Sequence, residues 1–363
     1  MALKYMEEYR DPQIARGLIE EIMQRTHRDI RLMEVCGTHT MSIFRSGIRS
    51  VLPPPITLLS GPGCPVCVTA QSEIDAFLEL SRREDVIITT FGDLMRVPGQ
   101  ASSLQRERAE GRDIRVVYST NDALEIAANN SGKKVVFLGV GFETTAPTVA
   151  ASMLAAEETG ISNFSVFSAH KLVPPALEAL MKISGLRLDG LLLPGHVSVI
   201  IGEKAYVPLV KQYGIPCAIA GFEPVDILQA ISHLLEQINS RKPKVENCYP
   251  RAVAYEGNIK AQHVLETVFE TGHATWRGLG EIPASGLVIR EAFASFDARK
   301  IFDVIVPDAD EPQGCACGQI LTGMKNPSEC ALYKKICTPM DPVGPCMVSS
   351  EGTCAAYYRY HEP

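Results

Sequence analysis

Two parallel-sheet α/β/α domains followed by a smaller, irregular C-terminal domain are what the sequence predicts. Three observations carry this. From residue 30 to about 225 a short apolar strand, a loop of Gly, Pro, Thr or His, and an amphipathic helix recur in turn. The strands are continuously apolar rather than alternating, as expected for parallel sheets covered on both faces. Beyond residue 311 the rhythm gives way to dense Gly, Pro and Cys.

In chain order, the strands are expected in "IRLMEV" (30–35), "ITLLS" (56–60), "VIITT" (86–90), "IRVVYS" (114–119), "VVFLGV" (135–140), "FSVFS" (164–168), "GLLLP" (190–194) and "CAIAG" (217–221). Helices are expected over 72–82, 121–129, 148–158, 174–183 and 225–238, where apolar residues recur at three- and four-residue spacing. In "SEIDAFL", Ser72 with Asp75 reads as a capping box and Ile74, Phe77 and Leu78 as the buried face. These units divide into a first α/β domain over 1–130, a second over 131–245, and a cysteine-rich domain over 246–363, with the first boundary in "ANNSGKK". "GVGFETTAP" and "AGFEPVD" hint at duplication, since each follows a strand and sets Pro where a helix begins.

Composition bounds the function. At 363 residues, 46% hydrophobic and 21% charged, the chain is an ordinary globular one. A net charge of −7 without a Lys/Arg run argues against a nucleic-acid surface. The charged start, MALKYMEEYRDPQ, is unlike a signal peptide, and no apolar run is long enough to span a membrane. A cytoplasmic protein is expected. In that compartment the 11 cysteines are poor candidates for a disulfide framework. Cys217, inside a core strand, and Cys248 read as small apolar fillers.

In open α/β sheets ligands bind at the carboxyl ends of the strands. Those positions hold Cys36-Gly37-Thr38-His39, then GPGCPVC with Cys64 and Cys67, then Glu143, His170, His196 and Glu223. Cys36 and the Cys64/Cys67 pair each stand just ahead of a helix, whose dipole favours thiolate and hence metal binding or thiol exchange. A CxxC without a second CxxC leaves redox exchange or shared ligation with a distant group, and His39 could supply a nitrogen beside the Cys36 sulfur. Glu143, His170, His196 and Glu223 read equally as ligand-orienting groups, proton carriers, docking residues, or loop residues satisfying backbone groups.

The tail holds Cys315, Cys317, Cys330, Cys337, Cys346 and Cys354, with no histidine between 311 and 354. All-thiolate ligation among prolines suits an iron–sulfur cluster, which takes four thiolates and leaves two; structural zinc remains a rival on spacing alone.

Taken together, "MEVCGTHT", "GPGCPVC", "GFETTAP", "PGHVSVIIG" and the cysteine-rich end resemble the HypD family of nickel–iron hydrogenase maturation factors, over nearly the whole chain. The resemblance implies a metallocofactor assembly scaffold with redox activity. Members pair with the small chaperone HypC and hold one iron, which gains two cyanides through HypE and one carbon monoxide. The group then passes to the hydrogenase large-subunit precursor. Residue by residue, the resemblance makes Cys36 an iron ligand accompanied by His39, and Cys64 and Cys67 a redox-active pair. Cys315, Cys330, Cys337 and Cys354 fall on the 4Fe–4S ligands, and Cys317 and Cys346 form a second exchangeable pair. The rival activity is a stand-alone iron–sulfur thiol–disulfide reductase that holds no further iron.

Overall fold

The computed structural model describes residues 8–304 and 309–361. Its core is two parallel sheets. The strands are β1 (Ile30–Glu34), β2 (Ile56–Ser60), β3 (Val86–Thr90), β4 (Ile114–Val116), β5 (Lys134–Gly139), β6 (Phe164–Ser168), β7 (Gly190–Pro194), β8 (Cys217–Ala220) and β9 (Val245–Asn247). One sheet has the order β2-β1-β7-β8-β9 and the other β4-β3-β5-β6, and every pairing is parallel. An antiparallel hairpin follows, β10 (Phe269–Trp276) and β11 (Gly280–Ile289), before the cysteine-rich region.

The predicted fold class is thus found, but the strands are shared out differently from the expected split at residue 130. β1 and β2 open the first sheet, the chain leaves for β3 to β6, and it returns for β7 to β9. A cut at 130 would fall between β4 and β5, which belong to one sheet. Apolar periodicity fixes where strands are; it carries no information about which strand each will pair with. The returning path has a functional consequence. β2 lies on one side of β1 and β7 on the other, so the first sheet reverses its strand order between β1 and β7, where such sheets open a binding crevice. Cys36 follows one of these strands and His196 the other.

Alternating side chains of β1, β7 and β8 divide the packing. Leu32, Leu192 and Ala218 face the helix Pro224–Ser240 through Ile227, Ile231 and Leu234. Met33, Leu191 and Leu193 face inward and join Phe77, Ile88, Val136 and Leu138 in one apolar core shared by both sheets. That same core contains Cys64, Cys67, Cys317, Cys346 and Cys354, so the sulfur groups are rooted in packed structure.

Local details depart from expectation at two helix starts. The helix Gln71–Ser81 begins earlier than the Ser72/Asp75 box requires: Glu73 accepts from Ala70 N–H (3.2 Å), while Asp75 accepts from Gln100 N–H (2.8 Å). Ile74, Phe77 and Leu78 are buried as predicted. The duplicated loops also part ways. Glu223 precedes Pro224, and three residues on Asp226, fully buried, takes a two-pronged contact from Arg251 at 2.8 and 2.6 Å. Arg251→Ala would strand that carboxylate, so a loss of about 3 kcal/mol is expected in urea unfolding.

Candidate metal and thiol centre

β1 ends in Glu34, Val35 and Cys36. Cys36 is extended (φ −151°) and caps the helix Gly37–Arg45. The GPGCPVC loop arrives from β2 and meets it backbone to backbone. Gly37 N–H donates to Gly63 O at 3.0 Å, and a Cβ on Gly63 would stand 2.2 Å from Cys36 N. Only glycine permits this approach. The loop then turns into the short helix Pro65–Val68, capped by the Cys64 sulfur accepting from Cys67 N–H at 3.2 Å. Cys64 and Cys67 form a disulfide, with Cα atoms 5.2 Å apart.

The expectation that a helix N-terminus keeps Cys36 as thiolate is not met. Burial pushes the Cys36 thiol up to about 12, the charges of Glu351 and Glu34 add to this, and the N–H groups of His39 and Thr38 oppose it. The dipole of one helix is worth less than the lost hydration of a buried anion. Cys36 is therefore a protonated thiol, and any metal bound there would have to displace that proton.

Glu34 is the buried neighbour that sequence reading missed. Its carboxyl accepts from Thr40 Oγ1 (2.5 Å) and Cys36 N–H (3.2 Å), and burial raises it to about 7. The folded chain keeps this proton between about pH 4.5 and about 7, where the unfolded chain has lost it. Glu34 thus adds stability below that window and loses it as pH rises through it. Glu143 adds a loss of the same sign, its carboxyl also raised to about 7 by burial. Glu34→Gln should partly flatten the decline in urea midpoints across this window.

His39 is wholly buried. Its Nε2 donates to Gly221 O at 2.9 Å, its Nδ1 has no protein partner, and burial lowers it to about 4. It is a neutral imidazole with a free lone pair, the form that binds metals. Phe222 stands between the two imidazoles: His39 lies 4.9 Å from it, and the partly exposed His196 stacks on it at 4.0 Å. Glu143 gives one oxygen to Val173 N–H (2.9 Å) and leaves the other buried without a partner.

The other two loop residues stand apart. Glu223 is held by Arg10 in a surface pair at 2.6 and 2.7 Å. His170 rests over Gly139 with Nδ1 on Ser168 Oγ (3.1 Å), beside a cavity where Glu73 holds Lys171 (2.9 Å) and Arg299 (3.3 Å).

In the tail, Cys315, Cys317, Cys330, Cys337, Cys346 and Cys354 line a single cavity. Cys317 and Cys346 lie 2.8 Å apart, Sγ to Sγ, and Cys315 contacts Cys317 as well, so the six thiols form one continuous group. Together they supply an all-sulfur donor set with no imidazole or carboxylate in the walls, the kind of set that iron–sulfur clusters take. Gly344 leaves the room a Cβ would fill, which would lie 2.9 Å from Cys315 Sγ. Among the described residues no three His, Cys, Asp or Glu side chains close tightly enough for a single metal ion, in the tail or at Cys36.

The two sulfur regions touch. The helices Cys317–Leu321 and Pro345–Val348 both pack on Pro65–Val68, the helix of the first thiol pair. Glu351 reaches the Cys36 loop, accepting from Thr38 Oγ1 and lying against Gly37. No sequence signal marks Glu351, because its role comes wholly from this long-range contact.

A family model described as "HypD: Hydrogenase formation hypA family" matches residues 13–361. The chain is similar to the hydrogenase maturation factor HypD of Rhodobacter capsulatus, 45% identical over 370 residues covering 99% of this chain and 98% of that one. It is likewise similar to that of Azotobacter vinelandii, 46% identical over 367 residues covering 99% and 97%. A putative hydrogenase expression/formation protein of Methanocaldococcus jannaschii is 43% identical over 353 residues covering 95% and 98%.

Proposed function

The chain belongs to the HypD family of hydrogenase maturation factors, and on that footing we propose that it scaffolds assembly of the Fe(CN)2CO group of nickel–iron hydrogenases together with a HypC-like chaperone. The cargo is one iron ion. Cys36 supplies one thiolate to it and the chaperone a second, while the neutral His39 stands beside them. Soft thiolates raise electron density at iron, which back-bonding to cyanide and carbon monoxide draws upon. The partly exposed His196 marks the open side of the crevice, where a HypE-like donor would bring cyanide. The finished group leaves for the hydrogenase large-subunit precursor.

Electrons come from the other sulfur centre. A 4Fe–4S group held by Cys315, Cys330, Cys337 and Cys354 would supply them one at a time. A Cys317–Cys346 disulfide takes up two electrons and two protons to become the dithiol, which then passes them to the Cys64–Cys67 disulfide. One S–S bond forms as the other opens, through a mixed disulfide. The observation that carries this reading is the backbone contact of Gly63 on Cys36, which sets the first thiol pair beside the proposed iron ligand.

The test is anaerobic co-purification with the HypC-like chaperone under maturation-competent conditions, followed by infrared spectroscopy. Cyanide and carbonyl bands are expected together; absence of both rejects the proposal.

A further inference from the structure

Cys330 and Cys337 both line the sulfur cavity, and the chain between them folds into a tight loop. Leu332 O accepts from three consecutive N–H groups, those of Lys335, Ile336 and Cys337, at 3.2, 3.2 and 3.0 Å. Lys334 closes the turn in the left-handed conformation, φ 58°. The loop sets Tyr333 against the cavity and leaves Lys334, Lys335 and Ile336 outside. Ile336 is 60% exposed, and Met340, three residues past Cys337, is 90% exposed.

Positive charge rims these two apolar side chains. Lys334 Nζ lies 5.8 Å from the ring centres of both Tyr333 and Tyr358. Arg96, from the loop after β3, donates to Pro339 O, and with Arg106 it lines a cleft that includes Met340. Lys325, Lys334, Lys335, Arg96 and Arg106 are all exposed, and among the described residues none of them makes an ion pair. Between 322 and 341 the acids are Glu329 and Asp341. Glu329 is bonded to Asn326 N–H (2.7 Å), and Glu311, ahead of Cys315, to Gly278 N–H in the hairpin turn (3.2 Å). On a chain of net charge −7, this is a local excess of cations around exposed apolar atoms.

We propose that this patch is the docking surface for a small acidic protein that carries single electrons, the donor to the tail cluster. The inference rests on Cys315, Cys330, Cys337 and Cys354 holding a cluster. The carrier is oxidised by one electron and the cluster reduced by one, with no proton moved and no bond made. Electron-transfer encounters use small interfaces, so a few apolar contacts inside a charged rim suffice. Opposite charge steers the partner, and the loop that receives it runs directly between two cluster ligands.

The test is stopped-flow reduction of the anaerobically purified, cluster-loaded full-length protein. The probe donor is a reduced acidic 2Fe–2S ferredoxin, followed by its own oxidation; reduced methyl viologen serves as a donor too small to need the patch. Lys334→Glu/Lys335→Glu should slow the ferredoxin reaction at low salt by about tenfold or more and leave the viologen reaction unchanged. The wild-type ferredoxin rate should fall as salt rises. Lys182→Glu/Lys211→Glu makes the same change in net charge on exposed helix ends that lead into β7 and β8, at the opposite ends of the strands from the sulfur loops, and should slow the reaction less than twofold. Equal effects of the two double variants overturn the proposal, as does a viologen reaction slowed as much as the ferredoxin one. A wild-type dimer that the Lys334/Lys335 reversal makes monomeric also overturns it, by assigning the patch to a second copy of the chain. If the reversal fails to load its cluster, Lys334→Gln/Lys335→Gln and the salt dependence decide, and a wild-type rate indifferent to salt rejects the docking. Wild-type protein lacking iron and acid-labile sulfide is a separate failure, of the cluster reading itself, and it takes this proposal with it.

Discussion

Cys36→Ala is expected to abolish the cyanide and carbonyl bands while leaving the iron and acid-labile sulfide of the tail unchanged. The substitution deletes the one cysteine placed at the end of β1, where the first sheet reverses its strand order. It also removes little packing, since the side chain shrinks by one atom in a site walled by the backbone of Gly63. A fold defect is therefore a poor explanation for lost bands, and a loss below about 2 kcal/mol in urea unfolding is expected. Glu34, Thr40 and the Gly37–Gly63 hydrogen bond keep the crevice formed without the thiol. This variant also separates the proposal from a stand-alone thiol–disulfide reductase, for which Cys36 is dispensable. Disulfide turnover indifferent to Cys36→Ala, in a protein that never shows the bands, would favour the reductase.

Cys354→Ser should have the opposite signature: several-fold loss of iron and sulfide, with a fall in the melting temperature. Cys354 lies in the helix Thr353–Tyr360, which packs on Gly37–Arg45 with Phe44 against Tyr357 at 4.9 Å. A serine hydroxyl is a hard, neutral donor and a poor substitute for thiolate at iron. The tail has only short helices and many prolines, so a group bound by four of its cysteines would add to the packing that holds its loops. Cys217→Ser is the matching control. Cys217 is fully buried in β8, and its serine variant leaves a hydroxyl in the apolar core at a cost of about 1–3 kcal/mol. It should nevertheless keep its iron and sulfide. Equal cluster loss in both variants would mean that global instability, and not ligation, is being read; zinc in place of iron in the wild type would reject the cluster for both.

Much of the architecture was legible because the strands are apolar throughout and the helices have one apolar face. β1 to β8 and the five expected helices fall where those patterns put them, within a few residues at the ends, whereas the helices Pro12–Arg25, Gly37–Arg45, Leu104–Ala109, Gly195–Ile201 and Val207–Tyr213 were not expected. The exceptions have identifiable causes. β9 is three residues long and half-buried, and the β10–β11 hairpin carries Gly, Thr and Glu on exposed positions, so neither produces a long apolar run. Which strands share a sheet was hidden, because pairing depends on crossovers that local periodicity does not encode.

At the site, the residue types at strand ends announced Cys36, His39 and the Cys64/Cys67 loop. Burial, however, reversed the expected electrostatics of Cys36, since a helix dipole is visible in sequence and desolvation is not. Glu223 and His170 carried the same sequence signal as His196, yet Arg10 occupies the first and a structural hydrogen bond holds the second. Glu351 gave no signal because its contact with Thr38 joins residues 313 positions apart.

The most direct measurement of the central claim is Mössbauer spectroscopy of the chain prepared anaerobically with isotopically labelled iron and its HypC-like partner. Two iron populations are predicted, a majority in a cubane cluster and a minority low-spin ferrous site that disappears in Cys36→Ala. A single population, whether cluster alone or isolated iron alone, would contradict the account.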